Sequence, residues 1–322
     1  MGTMRNVWVA GGAVAFLAVA AGFVRAQEGA SKEPTYDLRS LVDQFDGEET
    51  QAGDVFTTTQ SESQEVSMSV SRPDGSSQDQ QTAQLQEARY VVRFDAYSEE
   101  SELWTKSVHV DDWSMNVDGT VDDSLDGTVL VATGEDYTVS ASGGELSGAA
   151  EEWLREEILD GSGDDEDPDD EILKAAMFAE HPVAVGERWE VDADSLRELM
   201  SDRFGDDMEL ASFSGWGRMT EIAMDDDGKV ARFAMEMELE GVIAKVIENG
   251  MEMPCDDGST FTATIEVSGS PPTGAMTMTA TMELSVGVTM GEGVGLKVDA
   301  TANLSEVTEP GGEIPEVAED DE

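Results

Sequence analysis

The clearest signal in the chain is a two-residue alternation of apolar and polar side chains. Phe233, Met235, Met237 and Leu239 alternate with Arg232, Ala234, Glu236, Glu238 and Glu240. A longer run places Met276, Met278, Ala280, Met282, Leu284, Val286, Val288 and Met290 against Thr277, Thr279, Thr281, Glu283, Ser285, Gly287 and Thr289. Val294, Leu296, Val298, Ala300, Ala302 and Leu304 repeat the pattern, and Phe261, Ala263, Ile265 and Val267 add a further run. Successive strand side chains point to opposite faces, so each run predicts a strand with one dry and one wet face. That is the signature of antiparallel sheet. The run from 276 to 290 is about twice the usual strand length, and strands that long curve or coil. The expected fold class is therefore mainly β with some α: a long curved antiparallel sheet or half-barrel with a few short helices.

Turn chemistry agrees. Asp-Gly pairs begin at Asp46, Asp74, Asp118, Asp126, Asp160, Asp227 and Asp257, and Asp-Gly suits tight hairpins that need positive φ at both central residues. Gly291-Glu292-Gly293 reads as a hairpin joining the two longest strands. Weaker alternation at Val66, Met68 and Val70, at Val92, Phe94 and Ala96, and at Tyr137, Val139 and Ala141 predicts strands in the first half. Helical spacing is confined to Ser147–Leu159, Asp170–Phe178 and a segment begun by the capping pattern Ser195-Leu196-Arg197-Glu198. Ser71–Gln86 is polar, nearly free of bulky apolar residues, and is expected to stay unstructured.

The N-terminus changes the setting. Arg5, the apolar run Val7–Val24 and the Val24-Arg25-Ala26 ending read as a secretory signal cleaved near Ala26, with an uncleaved anchor as the rival reading. Residues 1–26 are assigned to this signal and 27–35 to a polar leader. An N-terminal β-rich half spans 36–159, an acidic linker 160–171, a C-terminal β-rich half 172–308 and a disordered acidic tail 309–322. The processed chain is expected in the periplasm or secreted, without stable membrane insertion.

Charge narrows the partners. The 322 residues hold 18 Lys+Arg against 71 Asp+Glu, a formal net charge of −53. With Arg5 and Arg25 removed and every acid kept, the processed chain reaches −55. Such a surface repels nucleic acid and anionic membranes, and salt screening relieves its self-repulsion. A salt-adapted exterior accounts for it, and a cation-binding role is the alternative. A single Cys255 excludes an internal disulfide, so stability rests on burial.

Chemistry is sparse. No Gly-x-Ser-x-Gly, His-Glu-x-x-His, phosphate loop or dinucleotide fingerprint occurs. His109 and His181 lack an evident nucleophile or orienting partner, and no enzyme is expected. No cofactor is implied beyond calcium, for which Asp164, Asp165, Asp167 and Asp169 in the acidic run and Asp225 and Asp227 in a turn are the candidate ligands. The 17 methionines include Met-x-Met pairs at 235/237, 251/253 and 276/278, with Cys255 beyond the second. Thioethers suit a soft metal, yet the same spacing puts both methionines on one strand face, as a core or an adaptable apolar groove requires. Phe233, Met235, Met237, Leu239, Met276, Met278, Met282 and Met290 are the groove candidates, for an apolar small molecule or lipid.

From Val185 to Leu304 the order is Gly-Glu-Arg-Trp, a helix, and long alternating strands with Asp-Gly turns. This stretch resembles uncharacterised exported β-rich proteins of planctomycete-type bacteria. More distantly, its architecture is similar to half-barrel periplasmic lipoprotein and lipid carriers. That resemblance implies a ligand held inside a curved sheet; the chain departs from the carriers in lacking a lipidated Cys and in its acidity. Three functions follow as expectations: a non-enzymatic exported binder of an apolar ligand, a divalent-cation-binding cell-surface protein, and a hydrolase with unrecognised carboxylates.

Overall fold

The computed structural model describes residues 35–38, 51–98, 103–134, 136–139, 146–159, 176–179, 181–197, 208–225, 228–248, 251–290 and 293–315. The signal segment, the acidic run at 160–171 and Asp227 lie outside these residues. In chain order the strands are β1 (Thr35–Tyr36), β2 (Val55–Ser71), β3 (Ser77–Ser98), β4 (Leu103–Val117), β5 (Thr120–Asp122), β6 (Val129–Thr133) and β7 (Asp136–Val139). After helix α1 (Gly148–Leu154) come β8 (Val183–Ala184), β9 (Arg188–Glu190), β10 (Met208–Met224), β11 (Val230–Glu248), β12 (Met251–Pro254), β13 (Thr260–Ser270), β14 (Ala275–Met290) and β15 (Val294–Pro310). The mainly β, antiparallel architecture read from the alternation is the one observed, and the large sheet is not closed.

Its strands run in the order β7-β6-β4-β3-β2-β15-β14-β13-β11-β10-β9, with β12 added to β11 and β5 to β4. Sequence neighbours pair almost throughout. Two pairings, β4 with β6 and β11 with β13, skip one short strand, and the long-range pairing of this sheet is the seam between β2 and the last strand, β15, which stay in register from Ser71 opposite Gly295 to Phe56 opposite Pro310. One sheet therefore spans both halves of the chain. Its outer face is hydrophilic: Thr264, Thr281, Asn303 and Ser63 form one cross-strand row, with Thr281 Oγ1 donating to Asn303 Oδ1 at 3.1 Å.

Two cores cover the inner face at its two sides. Around β10, β11, β13 and β14, the aliphatic and methionine side chains meet Tyr36, Leu38, residues 176–179, Val183, Trp189 and Leu196. Trp189 lies over Gly217, and a Cβ there would overlap the indole ring. Its Nε1 donates to the Met177 carbonyl at 2.8 Å. β1 pairs with β8, so Tyr36 from the start of the N-terminal half packs in the C-terminal core. On the other side, Trp153, Leu154 and Ile158 cover Val108, Val110, Trp113 and Leu130. These come from α1 and the π-helical turn Arg155–Leu159 that extends it, and the Ser147 hydroxyl caps α1 by accepting from Ala150 N.

Three local expectations are corrected. The polar run Ser71–Gln86 is ordered: its first residue ends β2, and Ser77–Gln86 form the start of β3, register-paired with β2. Backbone ladder bonds and the Arg72-Pro73-Asp74-Gly75 turn, where Asp74 Oδ1 accepts from Ser76 N at 2.9 Å, order it without apolar burial. The helical turn expected from Ser195 starts two residues earlier, at 193, because Asp192 Oδ1 is the cap that accepts from Asp194 N and Ser195 N. Glu309 and Pro310, assigned to the tail, are the last residues of β15.

Candidate ligand-binding face

One row of Cα partners crosses the inner face: Met219, Met235, Val267, Met278, Glu306, Gln60, Ala88 and Trp113, from β10 to β4. It is apolar on both sides and polar in the middle. The middle is the seam.

The groove candidates fall mostly on the first side. Phe233, Met235, Met237, Met278 and Met282 are buried, with Leu239 and Met276 half-buried against the same core, and Met290 is exposed at the far end of β14. Tyr36, Leu38, residues 176–179, Val183, Trp189 and Leu196 occupy that surface. Among the metal candidates, Asp225 closes its turn by accepting from Lys229 N at 2.8 Å. Asp164, Asp165, Asp167, Asp169 and Asp227 lie outside the described residues. No group of three His, Cys, Asp or Glu among the described residues is placed to hold a metal ion. Met253 and the free, half-buried Cys255 both pack on the C-terminal core, and burial pushes the thiol's pKa up.

Apolar surface is left over at the seam. Met68 lies opposite Val298, Val66 opposite Ala300 and Val70 opposite Leu296. All six are half-buried, and none belongs to either core. On one flank they continue into buried Val286 and Val288 of β14; on the other they meet Gln78, Gln80 and Thr82 of β3. Strand geometry makes the strip about 13 Å long on β2, and three strands give it a width of about 10 Å.

Toward the α1 end the same face is polar and buried. Gln60 is 5 % exposed; its Oε1 accepts from Trp153 Nε1 at 3.3 Å and its Nε2 donates to Glu157 Oε1 at 3.2 Å. Thr58 and Thr308 share a hydroxyl–hydroxyl bond at 3.1 Å, and the Tyr90 ring packs edge-on against Trp153 at 5.5 Å. Burial, then the Glu157 carboxylate, pushes Glu306 up to about 7. Burial also raises Glu157, against the opposing Gln60 hydrogen bond. Tyr90 is raised by burial and by both carboxylates. Like charges in a poorly solvated site disfavour joint ionisation, so Glu306 titrates near neutrality. Neither glutamate was marked by a motif. Glu306 stands in phase with Leu304 and Ala302, and that phase was the available signal.

Lys106 is a third unmarked charge. It is 7 % exposed, on the inner face opposite Phe94 and Ala132. Its Nζ sits 5.4 Å over the Phe94 ring. Phe94 packs against Phe56 at 6.3 Å and Trp104 at 5.4 Å, and Trp104 against Tyr97 at 5.3 Å. No carboxylate or carbonyl among the described residues accepts from this amine, and burial lowers its pKa. An aromatic face returns about 0.5–2 kcal/mol to a cation, while desolvating an ammonium costs several.

No family model matches the chain, and no curated protein matches it. Among solved structures, the crystal structure of a LolA superfamily protein from Nitrosomonas europaea is similar at 10% identity and a TM-score of 0.14, covering 79% of this chain and 87% of that one. The InvG secretin domain β-barrel of the Salmonella injectisome is similar at 9% identity and a TM-score of 0.14, covering 92% and 75%. Likeness at these TM-scores carries no weight for fold or function.

Proposed function

We propose that the protein is an exported, non-catalytic binding protein that holds an apolar ligand on the inner face of its open sheet, where β2 meets β15. The N-terminal segment, with its Val24-Arg25-Ala26 ending, supports export and processing near Ala26. The observation that carries the binding reading is the strip of six half-buried apolar side chains outside both cores. The outer face along this seam is mostly polar, with Ser, Thr, Asn, Lys and acid and one Val307, so the strip is the place where an apolar molecule removes further surface from water. Each Å² so covered is worth roughly 25 cal/mol before association costs. The dimensions accommodate an acyl or polyisoprenoid segment. The Gln60–Glu157–Glu306 group lies beyond the strip, where a hydrogen-bond-donating head would find acceptors.

The test uses the processed protein in concentrated salt, titrated with the neutral dye Nile red. The reading predicts a saturable fluorescence rise, displacement by a long-chain alcohol, and loss of both in Val298→Asp with the melting curve kept. Absence of dye uptake, or equal uptake by Val298→Asp, would overturn it.

A further inference from the structure

We infer that Lys106 and the aromatic side chains around it form a second binding site, for a small monocarboxylate with an aromatic or apolar body. The site lies near the Val55 end of β2, whereas the apolar strip lies at Val66–Val70 on the same strand. It stands independently of the ligand proposed above.

Seventy-one acids make a carboxylate partner for any lysine easy to find. Lys297 reaches Asp299 at 2.8 Å, and Lys245 reaches Glu209 at 2.8 Å and Glu252 at 3.2 Å. Lys106 is far more buried than either and has no such partner among the described residues. A cation left uncompensated where compensation matters most is a site open to an anion from outside. Burial holding its pKa down is the consequence expected of that vacancy in charge.

The walls define the rest of the ligand. Phe56, Phe94 and Trp104 are half-buried and Tyr97 is 39% exposed. Edge-to-face contacts hold Phe56 and Trp104 against Phe94, the ring over which the amine sits. Such rings receive an aromatic or short apolar body by stacking and burial, while the ammonium takes the carboxylate. One cation offsets one negative charge. Phosphates and polyanions carry more, and the net charge of −53 repels them.

The experiment is calorimetric titration of the full processed chain in concentrated salt with 3-phenylpropionate and, separately, 3-phenylpropanol. The two probes share a body and differ in charge. Wild type is expected to bind the acid at least tenfold more tightly than the alcohol. Lys106→Met, checked for folding by its melting curve, is expected to bring the acid down to the alcohol's level. Should that variant not fold, the ε-carbon NMR resonance of Lys106 in wild type decides: it is expected to move with the acid and stay with the alcohol. Equal binding of the two probes, binding of neither, a preference retained in Lys106→Met, or an unmoved resonance would overturn the assignment. Nile red uptake is read separately, so failure here and failure of the apolar strip are distinguishable.

Discussion

Two regions of one inner face carry the same alternation and meet different fates. On the C-terminal side, Met235, Met237, Met278 and Phe261 are closed over by Trp189, Tyr36 and residues 176–179. At the seam, Val66, Met68 and Val298 point the same way and stay half-exposed, and Gln60 and Glu306 bring polar groups into the row. Period two therefore states that a face is apolar; it does not state what covers it. The cover comes from segments distant in sequence, and where the described segments leave a gap, apolar side chains of the sheet stay only partly buried.

The comparison breaks most visibly where the cover is removed. Trp189→Ala loses an indole fitted over Gly217 and its bond to the Met177 carbonyl, and is expected to cost about 3–5 kcal/mol. Urea unfolding of the processed chain in salt measures it. A loss no larger than that of a strip residue would erase the distinction between the two regions.

Next in size is a pH effect confined to the seam. Glu306 is raised from 4.5 to about 7 in the folded chain. The folded state thus binds more protons than the unfolded one between these values. Its stabilising share is complete below about pH 4.5 and is lost as pH rises through 7, by up to about 3 kcal/mol. Urea midpoints across that window are expected to fall more steeply in wild type than in Glu306→Gln. Parallel slopes would remove Glu306 from the buried seam.

A smaller gain is expected from Lys106→Met. Exchanging an unpaired ammonium on a largely buried side chain for an apolar chain of similar length should raise stability by about 1–2 kcal/mol, read as a higher melting temperature. A drop would mean that the amine has a partner. Smallest is Val298→Ala, expected to cost roughly 1 kcal/mol or less because the side chain is only partly buried. Met278→Ala, one strand over in β14, is expected to cost about 2–5 kcal/mol. That pair sharpens the contrast on neighbouring strands.

How much was legible follows from which forces act locally. The long strands could be read at 276–290 because one face of each meets the core and the other meets water, so the side chains themselves record it. Asp118-Gly119 was legible as a hairpin because its φ values of 51° and 85° suit that dipeptide. Ser77–Gln86 was not legible as strand, since its order comes from ladder bonds to β2 and from no burial of its own. The β2–β15 seam was also invisible: pairing between Phe56 and Pro310 leaves no mark near either. Without the seam, Glu157, Glu306 and Gln60 had no reason to be grouped. Lys106 did leave a trace, in phase with Trp104, Val108 and Val110 on a strand whose other inner positions are apolar.

The account stands most directly on a native mass spectrum of the processed protein, isolated from brine after exposure to a lipid extract. It predicts a discrete added mass that survives gentle ionisation, disappears on unfolding and is absent from Val298→Asp. A spectrum showing only the bare chain, with wild type and Val298→Asp alike, would contradict it.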